Sequence, residues 1–282
     1  MTYPTLLGGI ALLGIVSADL IAVTIGATTR FTLSGWIGRI VFQVLRKLAR
    51  LGAKRTLTAL SGTLVMVSVA GFWIGGTWTG WSLIHLSTAG SVVMVPDGIE
   101  PDSLDYAAHA GQLLSTLGGG RTQAGSLVWS LVSVLIGVNG MVVLTLSVSF
   151  LLSVRQTVQQ GRTFAMLEDV GALPPGESLG RLAELVAGLH AAPYALWYGN
   201  PRKARQLPAA MLSHAEEAAA AGGEHWVRTR GLLADLPHLD ADAAREDLLD
   251  ALEDWADRHT IARIEEAQAA QQEDALPNPS RG

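Results

Sequence analysis

Between Thr116 and Gly120 the chain reads Thr-Leu-Gly-Gly-Gly, with Arg121 directly after it. A Thr-x-Gly-x-Gly spacing lets successive carbonyls turn to one side, because alternate residues must take backbone dihedrals that glycine adopts most freely. Carbonyls arranged in this way, with a threonine hydroxyl beside them, can replace the hydration shell of a cation, and potassium filters are built on this spacing. A plain surface turn uses the same glycines, so context decides between the two. Pro101-Asp102-Ser103 supplies a helix start, a short helical stretch follows from Ser103, and strongly apolar segments lie on both sides.

The remaining ionisable residues do not assemble a catalytic or metal-binding set. His190, His214, His225, His238 and His259 are scattered without a repeated ligand spacing, and there are no cysteines for thiolate chemistry. No glycine fingerprint for a dinucleotide follows a strand. The expectation is therefore a protein that is not an enzyme and carries no cofactor or metal, with a permeant ion as its only small partner. Asp19 stands apart as the single charge within residues 5–27. An acid inside an apolar span is a functional residue by default. Its structural alternatives are a hydrogen bond to Thr24 or a reach toward the inner interface that fixes helix packing.

The elements that must position these groups follow from composition. Of 282 residues, 49% are hydrophobic and 16% charged, and the apolar ones crowd the first half. Residues 1–162 hold ten Lys/Arg against five Asp/Glu, whereas residues 163–282 hold ten against twenty, a membrane part followed by an acidic soluble part. Residues 5–27 are long enough, at about 34 Å of helix, to cross a bilayer. They lack the leading positive charge of a secretory signal, so they read as a true span. Residues 57–86 form a second span with Trp73, Trp78 and Trp81 toward one end, and residues 124–154 a third with no charge at all.

From Arg30 to Arg55 every charge is basic, and Trp36, Ile37, Ile40, Val41, Val44, Leu45 and Leu48 recur at helical spacing. This is an amphipathic helix for the anionic inner leaflet. Nucleic acid is a poor partner, because it would leave the apolar face uncovered. The link from Ser87 to Thr122 is acidic, with Arg121 its only Lys/Arg. The charge asymmetry puts the N-terminus outside and the C-terminus in the cytoplasm of a multi-pass cell-membrane protein. Beyond Arg162, helices are expected after Pro174-Pro175-Gly176 through His190, over Leu207–Ala221, over Glu224–Ala234, and from Asp240 to about Ala270.

The arrangement resembles the pore module of two-transmembrane potassium channels, and more closely the bacterial potassium-channel-like membrane proteins with an extra N-terminal span. The resemblance rests on Asp105-Tyr106, Leu114 to Arg121, Gly137 to Val154 and Trp78 to Ile84. It implies an all-α membrane protein: three transmembrane helices, a re-entrant pore helix with a filter-like loop, then a helical cytosolic domain. The division is 1–56 for the first span and basic helix, 57–162 for the pore module, 163–270 for the cytosolic domain and 271–282 for a disordered tail. It further implies a homotetramer whose filter is Thr116, Leu117, Gly118, Gly119 and Gly120, with Arg121 at the outer mouth. Gly137 or Gly140 would hinge the inner helix, or serve close packing, and Asn139 would face the cavity or bond a neighbouring helix. Two positions depart from the family pattern: Gly119 replaces an aromatic and Arg121 an acid. The alternative is a non-conducting membrane anchor whose cytosolic domain binds a protein or ligand.

Overall fold

The computed structural model describes residues 2–25, 32–49, 54–95, 101–118, 120–200, 202 and 205–260. Gly119, the expected end of the last helix at 261–270 and the 271–282 tail lie outside the described residues. Among the described residues the protein is all-α apart from one short pair of strands. In chain order it comprises α1 (Tyr3–Ile25), α2 (Leu33–Ala49), α3 (Lys54–Leu86), β1 (Val92–Met94), α4 (Ser103–Leu114), β2 (Thr122–Ala124) and α5 (Leu127–Asp169). Then follow α6 (Pro175–Ala191), a 3-10 turn (Pro193–Trp197), α7 (Leu207–Ala221), α8 (Gly223–Leu233), α9 (Ala241–Glu246) and α10 (Leu248–His259). The helices α1, α3 and α5 each contain a stretch long and apolar enough to cross a membrane. A helix satisfies its own backbone polar groups, which is what hydrocarbon demands of any crossing.

The chain forms two compact units, one of residues 1–36 and 67–151, the other of 37–66 and 152–282. In the first, Val16 and Leu20 of α1 are buried, as are Val69 and Trp73 of α3 and Ile136, Val143 and Phe150 of α5. The Trp73 and Phe150 rings meet edge to face at 4.9 Å. The Thr2 amide donates to the Ser87 carbonyl at 2.9 Å, which brings the start of α1 to the end of α3 and makes the two antiparallel. At Gly9 the helices touch through backbone: a Cβ there would lie 2.8 Å from the Gly80 carbonyl oxygen. Small residues at such crossings let the helix backbones approach.

Across the top of this unit β1 pairs antiparallel with β2, Val93 opposite Gln123. The strands escape a reading tuned to helical periodicity because each has only three residues. Their presence moves the start of the third apolar helix from Ala124 to Leu127.

The second unit is a bundle of short helices around Leu182, Leu185, Leu189, Leu196, Met211, Leu252 and Trp255. Its predicted helices appear, with one change. Asp240 accepts from the Asp242 and Ala243 amides and starts α9, and Asp247 does the same for Leu249 and Asp250 and starts α10. Two caps within eight residues break the single long helix that amphipathicity alone implies, because each aspartate competes with the helix for local amides.

The helix α2 divides its surface three ways. Gly38, Phe42, Leu45 and Ala49 are buried, and Phe42 stacks on Trp197 at 6.0 Å. Ile40, Val44 and Leu48 remain exposed, and Arg39, Gln43 and Lys47 make a polar flank. Part of the expected lipid-facing surface, Leu45 in particular, is thus used against the protein itself.

Gly9→Val should lower stability by about 1–3 kcal/mol through overpacking. Gly8→Val, where a Cβ meets nothing within 4 Å, should be neutral. Thermal unfolding of the two variants in detergent checks this.

Candidate functional site

The glycine turn is held from α4. Asp102 caps that helix by accepting from the Leu104 and Asp105 amides, and the Asp105 carboxylate accepts from the Asp102 amide in return. This reciprocal cap fixes where α4 begins. At the other end, the Thr116 amide donates to Leu113 O and the Leu117 amide to Gln112 O, both at 3.0 Å. The Gly120 amide donates to Gln112 Oε1 at 3.1 Å. One residue, Gln112, therefore holds both ends of the turn, Leu117 through its backbone carbonyl and Gly120 through its side chain, a role that composition and spacing do not signal.

Within the turn Thr116 has φ +61° and Gly118 φ +77°, so alternate residues are left-handed. Among the described residues the carbonyls of Thr116, Leu117 and Gly118 accept no hydrogen bond. The amides point back to the helix and the carbonyls stay free. Leu117 is 82% exposed and Arg121 is exposed too, although the Arg121 carbonyl accepts from Val95 and joins the strand pair. Free carbonyls at the negative end of a helix can attract a cation.

Gly137, Asn139 and Gly140 of α5 sit near the end of α4. A Cβ at Gly140 would collide with the Leu114 carbonyl, and Gly137 faces Leu113 O across 3.8 Å. The two glycines let the last carbonyls of α4 rest against α5, which runs as one helix through both positions. Asn139 Oδ1 accepts from Trp81 Nε1 at 2.9 Å, an interhelical hydrogen bond. Trp78 Nε1 donates to Ala107 O at 2.7 Å and ties α4 to α3.

Asp19 lies away from the turn. It is 7% exposed. Its Oδ2 accepts from Trp73 Nε1 at 2.8 Å, and both oxygens accept from the Ser34 amide at 3.2 and 3.3 Å. Thr24, proposed as its partner, donates instead to Leu20 O. Ser34 stands in the first turn of α2, where backbone amides lack helical acceptors and an anion is favoured. The carboxylate thus joins α1, α2 and α3.

Two histidines missed in the sequence reading complete the unit. His85 and His109 are 0% and 2% exposed, with rings 5.2 Å apart, and His85 lies 5.1 Å from Trp129. His109 Nδ1 pairs with Thr122 Oγ1 at 2.9 Å, which links α4 to β2. Neither ring nitrogen of His85 nor Nε2 of His109 has a partner among the described residues. Burial holds His109 below the ordinary histidine value of 6.5.

Replacing Asp19 by Leu strands two buried donors and should cost on the order of 3 kcal/mol in detergent unfolding, while Asp19→Asn, which keeps an acceptor oxygen, should cost less. For His109 the depressed value means that the unfolded chain, in which the ring is solvated, binds the proton more readily than the folded one. Stability is full above pH 6.5 and falls as pH drops through it. Amide exchange in residues 92–94 and 122–124 should accelerate at pH 5.5 beyond its chemical trend, and His109→Gln should reduce the acceleration.

No family model matches the chain, and no solved structure matches it. The uncharacterized membrane protein YdjJ of Bacillus subtilis (strain 168) is 32% identical over 141 residues, which are 50% of this chain and 39% of that protein. The chain thus spans about two fifths of that relative's length. With three helices fit to cross a bilayer and a membrane protein as its relative, the chain is a membrane protein.

Proposed function

We propose that four copies of the chain surround an axial pore and conduct a monovalent cation, potassium before sodium, through Thr116, Leu117, Gly118, Gly119 and Gly120. The observation that carries this reading is the alternation of left-handed residues at Thr116 and Gly118 with carbonyls that accept nothing. One turn per chain cannot encircle an ion, so conduction requires a symmetric oligomer. Supporting it are the position of α4 between two spans and its negative helix end at the turn. The protein sits in the cell membrane with its N-terminus outside and its C-terminal bundle in the cytoplasm, and α2 lies at the anionic inner leaflet. The charge distribution of the loops supports that orientation.

A second reading is a non-conducting anchor in which the same module assembles subunits and the acidic bundle recruits a partner. Arg121 favours it, because four exposed guanidiniums at an outer mouth would repel arriving cations. Gly119 favours it too, since no aromatic side chain stands there to brace the turn.

Purified full-length protein in liposomes should pass potassium in preference to sodium and migrate as a tetramer in mild detergent. Gly118→Asp, which forces a side chain onto φ +77°, should abolish the flux. Arg121→Asp should raise it several-fold. A tetramer without flux in the parent and in Arg121→Asp would establish the anchor, and a monomer would sink both readings.

A further inference from the structure

The histidine pair of the first unit takes no part in the glycine turn. His85 lies at the end of α3 and His109 within α4, and their rings cross at 83° with centroids 5.2 Å apart. Three of their four ring nitrogens are buried without a hydrogen-bond partner among the described residues. Packing alone is a poor reason for two histidines here. A neutral imidazole always carries one N–H and one lone pair, so a buried ring without partners leaves polar groups unmet, whereas an apolar side chain would fill the space without that penalty.

The fourth nitrogen shows how one ring is held. His109 Nδ1 pairs with Thr122 Oγ1 at 2.9 Å. When Nδ1–H donates to that hydroxyl, Nε2 keeps its lone pair, which is the state in which an imidazole ligates a metal while its other nitrogen is hydrogen-bonded. Two imidazoles that share one metal at about 2.0 Å per bond, near the tetrahedral angle, have ring centroids about 5 Å apart. The backbone already holds this pair at that separation.

A third donor comes from the strands and decides which metal. Met94 stands opposite Thr122 in the antiparallel ladder. Residues directly opposite leave the ladder on the same face, with Cβ atoms about 4.5–5.5 Å apart. Both are buried, whereas Val93 and Gln123, on the other face, are exposed. The face that brings the Thr122 hydroxyl to His109 therefore also brings a thioether. A thioether is a soft ligand, and beside imidazole it selects Cu(I) over the harder divalent ions. A single positive charge also suits donors that are all uncharged, because a dry site without ligand charge is costlier for a doubly charged ion. We propose that His85, His109 and Met94 form a binding site for a cuprous ion. His109 Nε2, one ring nitrogen of His85 and the Met94 sulfur are the ligands, Thr122 is a positioning residue, and Trp129, with its ring 5.1 Å from that of His85, helps exclude water. The filled site ties α3, α4 and β1 together at one point. It is independent of conduction, so its test reads metal binding and not ion flux. The acid sensitivity of the strand pair belongs to the metal-free chain, because a ligated Nε2 has no lone pair left for a proton.

Full-length protein in detergent is titrated with Cu(I) under anaerobic conditions against a chromogenic Cu(I) chelator, and with Zn2+ in parallel. A single equivalent of copper should bind per chain, in preference to zinc. His85→Leu and His109→Leu should each weaken copper binding by about a hundredfold, and Thr122→Val, which removes only the partner of Nδ1, by about tenfold. Met94→Leu, a volume-conserving change, should keep the fold and lose both the preference for copper and the sulfur signal in X-ray absorption. His190→Gln, in the second unit, should change nothing. Copper should raise the thermal unfolding temperature of the parent and leave that of the histidine variants unmoved. Unfolding without metal shows whether each variant folds, and Met94→Leu and Thr122→Val carry the test if a histidine variant does not. Absence of bound copper in the parent, undiminished binding in the histidine variants, or zinc bound in preference to Cu(I) would overturn the proposal. So would a Met94→Leu protein that binds copper as the parent does, with no sulfur lost from its X-ray absorption.

Discussion

A carboxylate buried among helices is stable only where donors meet it, and Asp19 is met twice. The Ser34 amide and the Trp73 indole both donate to it, so three helices share one acceptor. Each donor would otherwise be stranded in apolar surroundings, and so would the charge. Among the described residues the compensation for a charge in α1 comes from a backbone amide at the start of α2 and from an indole. It also fixes the register of α1 against α3, since Trp73 has to reach the level of Asp19 while Gly9 reaches that of Gly80. Packing of Trp73 on Phe150 extends the same constraint to α5.

The glycine turn depends on a different principle, the satisfaction of helix ends. The α4 helix finishes with carbonyls that have no following amide in the helix, and the amides of Ser115, Thr116 and Leu117 fold back to supply them. Folding back requires left-handed dihedrals, which Thr116 and Gly118 adopt. Free carbonyls in the turn are a consequence of amides committed elsewhere. Gly140 then allows the end of α4 to lie directly on α5.

Much of this is legible in the sequence. The apolar segments gave the three long helices because only such composition survives in hydrocarbon, and Pro101-Asp102-Ser103 located the start of α4 because capping is a local matter. Leu207–Ala221 appears at the limits its sequence implies, bounded by a proline in its first turn and Gly222 at its end. The strands β1 and β2 were not legible, since pairing across some thirty residues leaves no local period to detect. Neither were the partners of Asp19, because a backbone amide at Ser34 has no side-chain signature. His85 and His109 were overlooked for a related reason: 24 positions apart, they become neighbours only when α4 packs on α3. The glycine spacing marked the turn, but Gln112, which holds it, looks like any polar residue on a short helix.

The strand pair has a mechanical consequence. It joins the chain just after α3 to the chain just before α5, with Val95 bonded to the Arg121 carbonyl and Gly125 to the Ser91 carbonyl at its two ends. Tension between α3 and α5 is carried by this ladder as a shunt, so α4 and the glycine turn hang from it unloaded. A displacement of α5 therefore reaches the turn by the direct bearing of Gly140 on Leu114, and a pull along the covalent chain is relieved at the ladder before it arrives.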